Sequence, residues 1–380
     1  QVLQSGVSSL DVSTVSADHA VTIEPFLADQ IEILKGPSTL LFGSGAIGGV
    51  VNMVDGRIAE APVEGFGGRA ELHGNTVNNE RAGMVRLDAG NGAAAMHVDY
   101  VRRDGDDFDL PDGSLLNSAI DQKSGAAGAG YASDAGFLGV SFSRYDSLYG
   151  IPLGPSNAEP EAGEEAEEIR LDQEQTRVDL RGGIYSPWTW LDKLSFRFAD
   201  NDYEHVELAD GEVGTRFTND AWEGRIEAVH AGFGGWTGAF GYQASSRDFA
   251  AIGAEAFVPP TTTDDWGLFL IERREFEPFE LELGARYDSV ESETDTGLSS
   301  DHSPVSLSAA GLWRFSEAWH ASLNLDRAQR APVAEELYSD GPHEATGSFE
   351  IGAADLDQET ANQVEIGLHR PAAARGRPYR

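Results

Sequence analysis

Apolar and polar residues alternate with a period of two along most of the chain, from Gly67 onward, the signature of half-buried β-strands. Phe279, Leu281, Leu283, Ala285 and Tyr287 share one face of such a segment, and Glu280, Glu282, Arg286 and Asp288 share the other. Val305, Leu307, Ala309, Gly311, Trp313 and Phe315 repeat the pattern; Val178, Leu180 and Ile184 oppose Arg177, Asp179 and Arg181; Met96, Val98 and Tyr100 oppose His97 and Asp99. A soluble β-sandwich alternates in the same way. Two details favour a large barrel. The polar faces carry dense charge of both signs, as a wet or plugged lumen would. Aromatic residues (Tyr145, Tyr149, Trp188, Trp190, Trp236, Trp319) stand near strand ends, where an interfacial girdle would place them. The predicted fold is all-β, a transmembrane antiparallel barrel. Roughly 14 such segments are present, against about 22 strands in large barrels with a plugged lumen, so the barrel is expected to be incomplete in this chain.

Residues 1–60 read differently. Gln30–Leu34 is a short strand, a Gly-Pro turn and a glycine-dense bend follow, and Gly49–Val54 is a second apolar strand. Gly43, Gly45 and Gly48 fit the G-x-G-x-x-G spacing of a dinucleotide-binding turn, but that turn needs a helix after it to face the pyrophosphate. Val50, Val51 and Val54 make a strand instead, so the glycines serve positive φ and close packing. Residues 56–66 have the composition of a linker.

Of 380 residues, none is Cys, which removes disulfides, thiolate zinc sites and cysteine nucleophiles together. The net charge of −37 argues against a nucleic-acid partner, because phosphate neutralisation needs clustered Lys and Arg. No apolar run reaches the length of a transmembrane helix, whereas barrel strands need only about 9–11 residues each. Neither G-x-S-x-G nor H-E-x-x-H occurs, and no enzyme activity is expected. The acidic run Glu159–Glu168 reads as a solvated external loop, with cation collection as its alternative. His205 and Glu207 share a strand face and could share a cation with Glu204 nearby, although a solvated strand end is the simpler reading.

Two blocks carry a family resemblance. DQIEILKGPSTLLFGSGAIGGVVNMVD (29–55) resembles the last part of the plug of TonB-dependent outer-membrane receptors, and RAPVAEELYSDGPHEATGSFEIGAADLDQETANQVEIG (330–367) is similar to their late barrel strands. The resemblance implies a partial plug at 1–60, barrel strands and loops at 61–370, and an atypical Arg-rich tail at 371–380. It further implies residence in the outer-membrane lipid of a Gram-negative cell and coupling to the TonB complex of the inner membrane. The segment that TonB pulls is expected outside this sequence. Gly211–Phe217, Trp222–Arg225, Gly253–Pro260 and the GPHEATG insert resemble the zinc-uptake branch more narrowly. That branch implies a metal site on Asp18, His19, Glu255 and His343, with zinc as transported substrate and no cofactor. The alternatives are a ferric siderophore or haem receptor and, from another class, a soluble acidic β-sandwich. Glu-rich loops, where zinc-uptake relatives often carry His-rich ones, count against zinc.

Overall fold

The computed structural model describes residues 1–13, 19–152, 168–253, 256–316, 318–343 and 348–370. The alternating segments form a 15-stranded sheet that runs up and down in sequence order. Its strands are Val63–Gly74, Arg81–Gly92, Ala94–Gly105, Ile120–Ser133, Gly136–Gly150, Ile169–Trp188, Leu191–Ala209, Glu212–Phe233, Trp236–Gly253, Thr261–Phe276, Phe279–Thr294, Val305–Ser316, Trp319–Arg330 and Glu359–His369. Each is antiparallel to the next, and the short strand Ser299–His302 pairs beside Phe279–Thr294. Nearest-neighbour hairpins satisfy the backbone locally, which suits a wall that offers no water to its peptide groups.

The two faces of this sheet are inverted relative to a soluble protein. Met96, Val98, Tyr100, Val178, Leu180 and Ile184 point outward and are exposed, while His97, Asp99, Arg177, Asp179 and Arg181 are buried. A sandwich would bury the first set. Only a wall with lipid outside and a filled polar interior explains both. Outward aromatics mark two levels. Trp266 packs on Tyr287 and Tyr242 at one level; Phe276, Phe279 and Trp313 form a cluster at the other. Trp266 and Phe276 are about ten residues apart, or roughly 33 Å along the strand, which a tilt of about 40° reduces to about 25 Å, the height of an apolar band. Trp188 and Trp190 stack on each other and are exposed, as a girdle requires. Tyr145 and Tyr149 do not belong to it. Tyr145 is buried on the inner side, and the Tyr149 hydroxyl accepts a hydrogen bond from Ala20 N at 2.9 Å. Alternation, not nearness to a strand end, decides which way a ring points.

The interior is filled by residues 1–13 and 19–58. Val2–Gln4 runs parallel to Val50–Val54 and antiparallel to Val7–Ser8, and Gln30–Leu34 pairs with Val50–Val54 to complete a four-stranded sheet. Between the last two, Gly36–Phe42 and Ser44–Ala46 are 3₁₀ turns, so the glycine-dense bend opens no helix toward a nucleotide. Gly43 and Gly49 have φ of 107° and 125°, which only glycine adopts cheaply. Leu3, Ala46 and Val50 form the small apolar centre of this unit, with Leu34 and Phe42 packed against it.

Wall side chains grip the unit through its backbone carbonyls. Arg177 donates to Ser8 O at 2.7 Å, Gln175 to Ser9 O at 3.0 Å, Asn201 and Asn219 to Leu10 O at 2.8 and 2.9 Å, and Arg286 to Leu40 O at 3.2 Å. At the exit from the unit, Arg57 pairs with Asp99 at 2.9 Å and Arg181 with Asp55 at 3.4 Å. Burial alone would push the Asp55 carboxyl up, but Arg181, Arg57 and a hydrogen bond from Gln4 hold it well below the usual carboxylate range. Gly128 lies where a Cβ would collide with the Arg57 carbonyl, so the exit strap can lie against the wall there.

Candidate functional site

The longest strands lie near the middle of the sheet: Ile169–Trp188, Leu191–Ala209, Glu212–Phe233 and Trp236–Gly253 have 20, 19, 22 and 18 residues. A strand of 22 residues spans roughly 70 Å, far more than an apolar band of about 25 Å, so these strands continue beyond the lipid. Their extensions lie on the side of the long connections 106–119, 151–168 and 331–358, whereas turns on the opposite side, such as 134–135 and 277–278, are short. Outer-membrane barrels keep short turns on the periplasmic side and long loops outside.

On the inner face of those extensions, alternation puts Tyr203, His205 and Glu207 together, all buried. His205 lies 0 % and Glu207 3 % exposed, so the solvated strand end expected for this segment does not form. Glu204 points away and pairs with Arg216 at 3.3 Å. The interior unit supplies His19, whose Nε2 lies 3.7 Å from Glu207 Oε1, while His205 Nε2 lies 3.8 Å from the same oxygen. The two imidazole rings are 4.6 Å apart. Among the described residues, these three are the cluster whose ligand atoms all fall within 4.8 Å of one another.

Each imidazole is oriented through its other nitrogen. His19 Nδ1 donates to Val12 O at 3.3 Å, and His205 Nδ1 lies 3.0 Å from the Tyr203 hydroxyl. This leaves the Nε2 atoms aimed toward Glu207, the arrangement in which histidine ligates metal while its far nitrogen is hydrogen-bonded. The N···O separations exceed a good hydrogen bond. They are close to the roughly 3.3 Å edge of a tetrahedron built from zinc–ligand bonds of about 2.0–2.1 Å. The residues present are of the right type and near enough to hold a divalent cation if the three ligand atoms, all within 4.8 Å of one another, draw together around it.

His343 stands at the margin of this cluster. Its ring is 6.2 Å from that of His19, its Nδ1 donates to Glu350 Oε1 at 2.8 Å, and it is fully buried. Of the four residues implied by resemblance, His19 and His343 are thus near one another, and Asp18 and Glu255 lie outside the described residues, as does most of the acidic run 159–168. His205 and Glu207, read from their shared strand face as able to share a cation, are brought together with His19, whereas the solvated strand end preferred for them is not found, because nothing local in the sequence tells that the face is covered.

An apolar roof closes the site. Phe217 stacks on His205 at 4.5 Å and Phe257 on His343 at 5.0 Å, and both belong to a buried cluster with Val12, Tyr203, Phe249, Val258, Leu337 and Tyr338. The short helix Ala334–Tyr338 contributes Leu337 and Tyr338. Glu336 steadies this turn: Arg330 donates to both carboxylate oxygens at 2.7 and 2.8 Å, and Val333 N donates at 2.9 Å. The hydrogen bond from Arg330 holds the Glu336 carboxyl below its usual range, against the opposing effect of burial. Beside the roof lies a cavity of about 730 Å³, lined in part by the charged residues Asp11, Glu223, Arg247, Asp265 and Glu335.

Comparison with known proteins places this architecture. The family model described as "TonB dependent receptor-like, beta-barrel" matches residues 70–375, and "TonB-dependent Receptor Plug Domain" matches residues 1–50. Among solved structures, a copper transporter, OprC, superposes with a TM-score of 0.80 at 16% identity, over 98% of this chain and 61% of that one. The FrpB iron transporter from Neisseria meningitidis gives 0.73 at 15% identity, over 92% of this chain and 59% of that one. The siderophore receptor PiuA from Acinetobacter baumannii gives 0.62 at 14% identity, over 97% and 62%. The chain thus spans about three fifths of the length of these structures. At such identities they testify to the fold, while the family models cover most of the sequence. The chain belongs to the TonB-dependent receptors of the outer membrane, with a plug seated against a β-barrel wall.

Proposed function

We propose that the protein takes part in TonB-dependent uptake of a metal substrate across the outer membrane, residues 1–60 acting as plug and 61–370 as barrel. The cargo that the geometry supports best is a bare divalent ion of the borderline class, such as zinc. The observation that carries this reading is the buried His19–His205–Glu207 cluster, shared between plug and wall, with His343 beside it. Imidazole and carboxylate ligands without thiolate suit zinc or copper at an affinity that still permits release. Asp18 and Glu255, from the narrower resemblance, are proposed to complete the ligand set. Because the cluster is split between two units, displacing the plug would dismantle it.

A second reading, a receptor for chelated iron, is favoured over zinc by the neighbours, which include an iron transporter and a siderophore receptor. A chelate is too large for the enclosed cluster and would sit outside the roof. Calorimetry on the detergent-purified receptor separates the two. Zn²⁺ and Cu²⁺ are titrated in one series and a ferric siderophore in another, with His19→Ala, His205→Ala and His343→Ala alongside. Divalent-ion binding lost in the first two variants supports the cluster. Ion binding indifferent to them, together with siderophore binding, selects the second reading.

A further inference from the structure

Gln173 makes no contact with the three ligand atoms, yet it touches the supports of two ligands. It is fully buried on the inner face of Ile169–Trp188. Its Nε2 donates to Ala20 O at 3.1 Å and to the Tyr203 hydroxyl at 3.1 Å, and lies 3.4 Å from the Tyr149 hydroxyl. Ala20 follows His19 in the plug, and the Tyr149 hydroxyl accepts from Ala20 N at 2.9 Å, so both peptide groups of Ala20 are held by the wall. The Tyr203 hydroxyl in turn orients His205 through Nδ1. In the tautomer that leaves Nε2 to a metal, Nδ1–H donates to that hydroxyl.

We propose that Gln173 is a positioning residue that ties the plug ligand His19 to the wall ligand His205, so that the two imidazoles are set together and lost together. A single amide group bridges the backbone beside one ligand and the hydroxyl that aims the other. Withdrawing residues 19–20 therefore takes the Ala20 carbonyl from Gln173, releases the amide that holds the Tyr203 hydroxyl and so loosens His205 in the same movement. The proposal rests on the metal-site reading above, and its role is one of geometry and not of ligation. Outer partners of this kind typically change metal affinity by about 10–100-fold.

The test uses Co²⁺ and Zn²⁺ with the detergent-purified receptor. Co²⁺ is followed by its visible d–d absorption, which reports ligand geometry, and Zn²⁺ by competition against it. Gln173→Leu and Tyr203→Phe, singly and together, are compared with His19→Ala and His205→Ala. The expected result is binding about 10–100-fold weaker in Gln173→Leu with an altered Co²⁺ spectrum, and a double variant no weaker than the worse single one. Tyr203→Phe removes one oxygen from a ring that stays packed, so it carries the test if Gln173→Leu does not fold. Affinity within twofold of the parent with an unchanged spectrum in Gln173→Leu overturns the proposal, as does full additivity in the double variant. If instead His19→Ala and His205→Ala bind both ions like the parent, the metal-site reading itself fails and the proposal falls with it.

Discussion

Arg177 offers the sharpest test of how plug and wall are held together. Its guanidinium is fully buried, donates to Asp179 at 3.1 Å and reaches Ser8 O and Ser9 O of the plug at 2.7 and 3.2 Å. Arg177→Met removes the cation and leaves the Asp179 carboxylate, 2 % exposed, without its close partner. Breaking a buried pair from one side costs about 3–5 kcal/mol. Arg57 also interacts with Asp179 across the interior, which places the expected loss near the lower end, about 3 kcal/mol. The double variant Arg177→Met/Asp179→Leu removes the stranded charge as well. It should recover most of that pair-breaking loss, while the two bonds to plug carbonyls, each worth about 1.5–3 kcal/mol when the donor is charged, are a further loss common to both variants. Denaturant unfolding of the refolded receptor, followed by tryptophan fluorescence, gives the stability difference, and limited proteolysis of residues 1–58 gives plug retention. The expected pattern is a single variant that is unstable, and a double variant with a stable wall and a more readily cleaved plug. A double variant as unstable as the single one would refute the stranded-charge account.

Three further outcomes follow from the same geometry. Leu180→Arg places a charge on the outward face between Val178 and Ile184 and should cost about 2–4 kcal/mol on refolding into lipid vesicles; a neutral result would mean that this face is not in lipid. Asp55 has its carboxyl held low in the folded state, so its contribution to plug retention is fully present above its unfolded value of about 3.9 and is lost only as pH falls toward the lower folded value. Proteolysis of the plug against pH should therefore show Asp55→Asn more cleavable than the parent at pH 7, with the difference shrinking only in strong acid; a difference that vanishes by pH 5 would contradict the pairing with Arg57 and Arg181. Phe257→Ala takes a stacked ring off His343 and opens the roof, so stripping of bound Zn²⁺ by a chelator should accelerate, at a stability cost of about 3–5 kcal/mol for a buried aromatic. An unchanged stripping rate would show that the ion does not leave past this ring.

Much of the architecture was legible from local pattern, because strand alternation and glycine-led turns depend on neighbours in sequence. Gln30–Leu34 is a strand as read, the second plug strand begins at Val50, one residue later than read, and His205 and Glu207 do share a face. The resemblance of 29–55 and 330–367 pointed to the family before any geometry was known. What alternation cannot tell is which face is inside: the same period serves a sandwich and a barrel, and only the packing of the wall against the plug buries Arg177 and exposes Leu180. For the same reason Tyr145 and Tyr149 read as girdle residues yet face the plug. The candidate site depended on tertiary structure most of all. His19 and Glu207 are separated by most of two hundred residues, and a solvated strand end becomes a buried ligand cluster only when the plug loop meets the long strands above the lipid. Burial of a charged or imidazole side chain is a property of what covers it, and that cover comes from elsewhere in the chain.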